Sequence, residues 1–370
     1  MSEDKPPFRA DHVGSLLRPS EVADARAALE AGRIRQEELR AIEDRHIRQA
    51  IGLQQDVGLR AVTDGEYRRA FWHYDFMGML EGMELVTRSE GISFAGATLK
   101  PVFPVIRDRL DFPDDHPMLE HFRFVADNTS EVPKMSIPGP SCCHLRVALE
   151  DIHPGEYVEP EVLMQDIAKT YRRAVQAFYD AGCRYLQMDD IFFAYLCDPV
   201  HRQAKSDIGQ DPDWLIERYA WMMRQAIKDR PSDMTIGMHM CRGNFMSTYA
   251  ATGAYDPIAD TVLNKTGVDV FFMEYDTDRA GGLEPLRYLS KGTQRIMPGF
   301  VTTKYPELEA RDKLLRLFDE ASKYADIQQL GLAPQCGFAS TEEGNRLTEL
   351  DQWRKLELVV RTAEEIWGKI

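Results

Sequence analysis

The chain has 370 residues, of which 44% are hydrophobic and 28% are charged, and its formal net charge is −15. This composition is typical of a globular protein with a large core, and the acidic balance disfavours a role in binding nucleic acid. No run of about 18 apolar residues is present, so the sequence predicts no membrane span. The polar N-terminus lacks the apolar core of a signal peptide, and the six cysteines favour reduced thiols in a cytoplasmic protein.

Strand-like apolar runs alternate with helical segments along the chain. Eight candidate strands lie at 9–14, 60–64, 133–138, 184–190, 234–241, 268–275, 295–301 and 328–335. Alternating strands and helices predict a mainly parallel sheet, and eight such pairs favour a closed (β/α)8 barrel, or TIM barrel, over a doubly wound sheet. We therefore predict the α/β class and a single catalytic barrel domain that spans residues 1–370.

The segments between the candidate strands mostly have helical patterns. An apolar stripe over 163–178 predicts a helix that stops at Gly182, and residues 20–58 predict helices next to the first strand. Residues 77–132 break the alternation, because they contain glycine and proline clusters and short β-like runs. This segment predicts an insertion after the second strand that contains a hairpin.

The most informative motif is His239-Met-Cys241, which ends an apolar, strand-like run. Because strand side chains alternate between faces, the imidazole and the thiol point to the same side. In a barrel, the inward face at the carboxyl end of a strand opens into the active-site mouth. A histidine and a cysteine at that place suit zinc, whereas the alternative is a buried histidine beside an unreactive cysteine.

Two further residues stand at the ends of later strands. Glu274 follows four apolar residues, and Cys336 ends the last candidate strand just before Gly337, which permits a tight turn. Taken alone, Glu274 could be a solvated carboxylate or a salt-bridge partner, and Cys336 could be a small core residue. Their coincidence with His239 and Cys241 predicts four zinc-type ligands at the ends of three strands.

A second group of polar residues ends the earlier strands: Ser15, Asp64, Glu66, Asp189 and Asp190. Acidic groups gathered at a barrel mouth can bind a substrate ammonium or move protons. Helix capping by aspartate and serine explains the same residues equally well. The residues alone therefore leave both interpretations open.

In chain order, these motifs resemble the catalytic barrel of the cobalamin-independent methionine synthase family. The resemblance extends over nearly the whole chain through the segments 12–15, 64–68, 186–190, 239–241 and 334–337. The most specific part is the His-x-Cys motif together with the late Cys-Gly pair. The other segments are weak signals when taken singly.

The resemblance implies roles for seven residues and one cofactor. It implies that a Zn²⁺ ion is held by His239, Cys241, Glu274 and Cys336. It also implies that homocysteine is bound by Ser15, Glu66 and Asp189. Of these three, the two carboxylates would face the ammonium of homocysteine and act as the catalytic acidic residues.

The chemistry of the family is methyl transfer from a folate to homocysteine, which gives methionine. The resemblance therefore implies a zinc-dependent thiol S-alkyltransferase whose partners are a small thiol and a small alkyl donor. An epoxyalkane:coenzyme M-type transferase and a corrinoid-linked thiol methyltransferase are alternatives within the same resemblance. A zinc hydrolase is disfavoured by the thiolate-rich site, and a structural zinc protein is the non-catalytic alternative.

Three departures from the family pattern concern its second barrel and its methyl donor. Complete members carry a second, N-terminal barrel, for which 370 residues leave no room. The histidine expected after the seventh strand is absent, and Lys304 is its nearest positional substitute. The segment 138–143 shows no aromatic platform for a pterin. These departures indicate the single-barrel branch of the family, which includes epoxyalkane:coenzyme M transferases, and they favour a donor other than a polyglutamyl folate.

Overall fold

The computed structural model describes residues 5–89, 93–94, 97–98, 100–153 and 155–368. Its strands are β1 Ala61–Val62, β2 Glu81–Thr87, β3 Ser93–Phe94, β4 Ala97–Thr98, β5 Val102–Asp111, β6 Val132–Pro138, β7 Tyr185–Asp189, β8 Thr235–Met240, β9 Val270–Glu274 and β10 Arg295–Gly299. Its α-helices are α1 Ser20–Glu30, α2 Gln36–Asp56, α3 Tyr74–Met77, α4 Pro117–Asp127, α5 Cys142–Leu145, α6 Pro160–Asp180, α7 Phe192–Tyr195, α8 Pro199–Asp207, α9 Pro212–Ile227, α10 Ala259–Lys265, α11 Arg311–Ala321 and α12 Glu349–Trp367. Four 3-10 turns lie at Leu149–Asp151, Asp278–Ala280, Glu284–Tyr288 and Ile327–Gln329.

A parallel sheet with the order β1-β6-β7-β8-β9-β10 forms most of the barrel wall. The remaining wall consists of isolated parallel bridges, which join residues 330–332 to β10 on one side and to residue 10 on the other. Next to β1, the Leu16 amide donates to the Gly65 carbonyl at 3.0 Å. The wall thus curls around into the predicted (β/α)8 barrel.

Six of the eight predicted strands form this regular sheet. The predicted strands 9–14 and 328–335 differ, because they contribute single bridges in place of continuous ladders. Pro334 has no N–H group to donate to a ladder. Gly14 has a φ of 135°, which lies outside the β region. Neither segment therefore keeps the geometry that an extended ladder requires.

Between β1 and β6 the chain leaves the barrel wall. Strands β2 and β5 pair in an antiparallel hairpin over residues 81–111, part of whose tip lies outside the described residues. Helix α4 then packs against β6, as a barrel helix does. The segment 77–132 therefore contains a hairpin and a barrel helix. Its assignment as an insertion within one domain of residues 1–370, whose two ends also lie outside the described residues, stays a prediction.

Side chains along the strands alternate between the barrel interior and the layer beneath the helices. In β9, Val270 and Phe272 belong to a small interior cluster, whereas Phe271 and Met273 join the larger core between sheet and helices. By the same alternation, Glu274 faces the interior. This alternation brings polar residues at the strand ends toward a common mouth.

The helical layer follows the predicted patterns. Helix α6 buries its apolar stripe from Leu163 to Phe178. Pro160 is the first residue of the helix, a position whose N–H group would have no partner within the helix. The chain leaves the helix at Gly182, whose φ is 103°. The predicted stripe and stop are therefore confirmed. No helix among the described residues is long and apolar enough to cross a membrane.

A buried ion pair lies inside the barrel below the mouth. The Lys134 ammonium contacts the Asp11 carboxylate at 3.1 Å and donates to the His12 carbonyl at 2.6 Å. The Tyr185 hydroxyl donates to the other oxygen of Asp11 at 2.5 Å. All four residues are buried. This network pairs the Asp11 carboxylate and the Lys134 ammonium without using any of the predicted site residues.

Candidate metal and substrate site

A pocket opens at the carboxyl ends of the barrel strands, where barrel enzymes place their active sites. Its lining includes six of the seven predicted site residues: Ser15, Glu66, Asp189, His239, Cys241 and Cys336. These residues come from distant parts of the chain, and the barrel brings them together.

Three of the predicted ligands form a compact cluster. The ligand atoms of His239, Cys241 and Cys336 all lie within 4.8 Å of one another, and the two sulfur atoms are 3.8 Å apart. All three side chains are buried. The Cys336 sulfur approaches the ring of His239. The ring nitrogens have no other hydrogen-bond partner among the described residues. This nitrogen and sulfur donor set fits zinc.

The surroundings of the cluster favour the thiolate form of Cys336. Hydrogen bonding between the two thiols lowers the pKa of Cys336 well below its ordinary value and raises that of Cys241. Burial opposes charge on His239, but the Cys336 sulfur together with Asp189 and Glu274 outweighs burial, so the pKa of the imidazole is raised. Because metal ligands must be deprotonated, a bound cation would replace the protons that these three groups hold.

Glu274 lies outside this three-residue cluster. Its carboxylate is buried and accepts a hydrogen bond from Arg279 Nη2 at 2.6 Å, from the Arg242 amide at 2.9 Å and from Gln335 Nε2 at 3.3 Å. Burial raises its pKa, but Lys304 and the two arginines outweigh burial, so the pKa is lowered. Glu274 is thus an ionised carboxylate engaged by cations. Its role as a fourth metal ligand stays a prediction that requires it to leave Arg279.

Glu66 is positioned by its own turn and by an arginine. Its backbone has a φ of 59°, and its amide donates to Asp64 Oδ1 at 2.7 Å. Arg69 Nε donates to Glu66 Oε2, and Arg69 Nη1 donates to the Ser340 carbonyl at 2.7 Å. Asp64 therefore stabilises the turn, whereas Glu66 lines the pocket. Burial raises the pKa of Glu66, and Arg69 opposes this shift.

Ser15 packs against the loop that carries Cys336. The Phe338 amide donates to the Ser15 carbonyl at 2.9 Å, and a Cβ at Gly337 would collide with Ser15 Oγ. The sequence predicted Gly337 as a tight-turn residue, but its φ is not in the left-handed region. The glycine is instead required for the close approach of the first and last barrel loops.

The adjacent residues Asp189 and Asp190 have different surroundings. Asp189 lines the pocket and accepts a hydrogen bond from Gln187 Nε2 at 2.7 Å. Asp190 is fully buried, accepts a hydrogen bond from Ser141 Oγ, and donates its amide to the His239 carbonyl at 2.8 Å. Burial raises the pKa of each carboxyl to about 7. Asp190 therefore ties three strand ends together, and Asp189 is the one that lines the pocket.

Asp190 gives a pH dependence to the stability of the fold. Its pKa is about 7 in the folded protein, whereas an unperturbed aspartate has a pKa of about 3.9. The folded state therefore binds more protons between these values, and the free energy of unfolding falls as the pH rises through this window.

Asp190→Asn removes this contribution. We compare the free energy of unfolding of the variant with that of the natural protein by urea unfolding. The difference, variant minus natural protein, is expected to increase by roughly 2–4 kcal/mol from about pH 4.5 to about pH 8. A stability difference that is the same at both pH values would show that Asp190 does not titrate in this range.

The pocket also contains apolar, aromatic and basic residues that the sequence analysis did not single out: Arg69, Phe71, Trp72, Arg146, Ile191, Tyr195 and Phe245. Arg69 follows Glu66 at a spacing of three residues, which is a usable signal for an ion pair. The aromatic residues come from loops after β1, β7 and β8, so no local pattern links them. They supply the aromatic surface that the segment 138–143 lacks.

Comparison with known protein families agrees with this geometry. The family model described as "Cobalamin-independent synthase, Catalytic domain" matches residues 8–357. The chain belongs to this family. The cobalamin-independent synthases are methyltransferases of the methionine synthase type, so the resemblance that the sequence motifs indicated is confirmed.

Related proteins match the chain from end to end. The uncharacterised protein YxjG of Bacillus subtilis is 44% identical over 99% of this chain and 97% of its own length. A Listeria monocytogenes structure described as a candidate vitamin-B12-independent methionine synthase has 38% identity, a TM-score of 0.78 and 99% coverage of both chains. A B12-independent methionine synthase from Shewanella sp. W3-18-1, in complex with selenomethionine, has 18% identity, a TM-score of 0.71 and 98% coverage of both chains. This last likeness shows the fold.

Proposed function

We propose that this member of the family is a zinc-dependent thiol S-methyltransferase that converts homocysteine to methionine. The observation that carries the proposal is one pocket that holds both a zinc-type cluster and two carboxylates. The cluster consists of His239, Cys241 and Cys336, and the carboxylates are Glu66 and Asp189. A reactive thiol and an ammonium on one small molecule would match these two features.

The cluster residues would hold the zinc ion through one imidazole nitrogen and two sulfur atoms. When bound, zinc supplies a Lewis acid that lowers the pKa of a substrate thiol and provides a thiolate at neutral pH. Glu274 is the proposed fourth ligand, since it faces the interior at the end of β9. Arg279 would hold its carboxylate whenever it is displaced from this role.

The acceptor would be oriented by residues at or near the ends of the first, second and fourth predicted barrel strands. Glu66 and Asp189 would bind its ammonium, and Ser15 would contact it from the loop beside Cys336. Because the pKa of Asp189 is about 7, this carboxyl can accept a proton or pair with an ammonium near neutral pH. Fixing both substrates in one pocket converts the transfer into a nearly unimolecular step, which contributes several kcal/mol.

Two features support an aminated thiol over the alternatives. Coenzyme M carries a sulfonate and no ammonium, so it would leave Glu66 and Asp189 without a cationic partner on the substrate. The Shewanella relative binds selenomethionine, an amino acid of the same class as the proposed product. An epoxyalkane:coenzyme M-type reaction and a corrinoid-linked methyl transfer remain the alternatives on this site.

A donor screen tests the proposed function. Zinc-loaded protein is incubated with homocysteine and a panel of methyl donors, and methionine is detected by mass spectrometry. We expect methionine from at least one donor and none without metal. Alkylation of coenzyme M by epoxides, with no methylation of homocysteine by any donor, would instead support the transferase alternative.

The identity of the donor leads to a further prediction. Methyl transfer from a folate nitrogen needs an acid, because an anionic amine is a very poor leaving group. Lys304 is buried in the expected position, where its ammonium donates to the Gly243 carbonyl at 3.3 Å. An ammonium is intrinsically a weaker general acid than the imidazolium it would replace, and general acid catalysis is worth about 100-fold or more.

We therefore expect methyltetrahydropteroyltriglutamate to have a kcat/KM at least about 100-fold below that of the best small or activated donor. The net charge of −15 also gives no obvious basic track for a polyglutamate tail. The measurement is the initial rate of methionine formation with each donor at equal concentration. Efficient zinc-dependent turnover of the triglutamate would contradict this prediction.

A further inference from the structure

Arg146 is a basic side chain of the pocket that has no acidic partner. The other arginine in the lining, Arg69, is paired with Glu66. No carboxylate among the described residues lies within salt-bridge distance of Arg146, and its Nε atom is buried without a hydrogen-bond partner. The guanidinium is partly removed from water and hydrogen-bonds to Tyr195, but it has no group of opposite charge beside it.

The side chain of Arg146 is nevertheless held in place. Arg146 is the C-cap residue of the short helix α5, and its backbone amide donates to the Cys142 carbonyl at 3.3 Å. Its guanidinium carbon lies 5.1 Å from the centre of the Phe192 ring, a cation–π distance. Tyr195, which lies on helix α7 with Phe192, contacts the Arg146 side chain and also lines the pocket. These contacts therefore orient the N–H groups of the Arg146 guanidinium in the absence of a ligand.

The charges around Arg146 are of its own sign. Burial lowers the pKa of Lys205, and the Arg146 charge lowers it further. Burial likewise lowers the pKa of His73, and Arg146 and Arg69 add to that shift. The pocket thus has one acidic side, at Glu66 and Asp189, and one basic side that lacks a counter-charge.

We propose that Arg146 binds an oxyanion, a carboxylate or a sulfonate, that is carried by one of the two substrates. The proposal rests on the proposed function, since it takes the substrates to be a thiol acceptor and an alkyl donor. Arginine suits this task because its planar fork can make two parallel hydrogen bonds to a carboxylate or a sulfonate. The anionic group has two possible sources, the acceptor and the donor, and binding experiments separate them.

The first experiment tests the acceptor. Zinc-loaded protein is titrated in a calorimeter with homocysteine and with 3-aminopropane-1-thiol, which has the same thiol and amine but no carboxylate. If the acceptor supplies the anion, Arg146→Gln weakens homocysteine binding about tenfold or more and leaves the other thiol unchanged. Arg146→Lys, which keeps the charge, should recover part of the loss.

The second experiment tests the donor side. Protein saturated with homocysteine is titrated with benzoate and with benzamide, which present the same ring with and without a negative charge. If the donor supplies the anion, benzoate binds about tenfold or more tightly than benzamide, and Arg146→Gln removes the difference. Arg107→Gln is the matched control, because Arg107 is exposed on the hairpin in an ion pair with Glu84.

A selective loss in either experiment supports the proposal and names the source of the anion. If Arg146→Gln folds with an unchanged melting temperature and alters neither selectivity, the proposal is overturned. The benzoate titration is repeated on metal-free protein without homocysteine. Failure of both thiols to bind, together with a persistent preference for benzoate, would contradict the proposed function and leave the oxyanion site standing.

Discussion

Cys336→Ala is expected to lose most of the bound zinc and at least about 1,000-fold in the rate of methyl transfer. Cys336 is the residue that both other cluster members contact, since its sulfur lies 3.8 Å from that of Cys241 and raises the pKa of His239. Without it, only two of the three clustered donors remain, and Glu274 would have to leave Arg279 before it could supply a third ligand. The measurements are metal content by mass spectrometry and the initial rate with homocysteine.

Cys183→Ala is the matched control for this substitution. Cys183 is equally buried, but its sulfur donates to the Tyr185 carbonyl and does not line the pocket. We expect this variant to keep its zinc and its activity, although it loses some stability. If Cys336→Ala retained full zinc and activity, the metal site would have to lie elsewhere.

Asp189→Asn is expected to weaken homocysteine far more than a thiol that lacks the amine. A buried hydrogen bond between charged groups is worth about 1.5–3 kcal/mol, which corresponds to roughly 10-fold to 150-fold in kcat/KM. The comparison thiol is 4-mercaptobutanoate, which is homocysteine without its amine. Glu66→Gln should show the same selectivity, with added loss of stability because Arg69 would lose its partner.

Asp190→Asn serves as the control at the neighbouring position. Asp190 is fully buried against Ser141, so the same chemical change should leave the ratio between the two thiols unaltered. An equal loss for both thiols in Asp189→Asn and Glu66→Gln would mean that these carboxylates support the structure and do not bind an ammonium.

The alternation of side chains along a strand explains why the pairing of His239 and Cys241 in one cluster could be predicted. His239 and Cys241 had to share a face of one strand, and the barrel rule placed that face at the mouth. The strand ends could be predicted for the same reason, within two residues for the six regular strands. Local patterns of this kind need no knowledge of distant contacts.

Features that depend on contacts between loops could not be predicted. The ion pair between Arg279 and Glu274 depends on the 3-10 turn that carries Arg279, and tertiary packing sets the position of this turn. The unpaired charge of Arg146 becomes visible only when the acidic residues of neighbouring loops have been located. The first and last predicted strands, 9–14 and 328–335, form only isolated bridges. A glycine interrupts the first of them and a proline interrupts the last.

In the proposed function, the acceptor thiol binds a zinc ion that this chain holds. Zinc X-ray absorption spectra of the protein before and after addition of homocysteine test it most directly, because they count the sulfur neighbours of the metal. We expect about one zinc per chain, with two sulfur ligands that become three when homocysteine binds. Absence of zinc, or a sulfur count that homocysteine does not change, would contradict it.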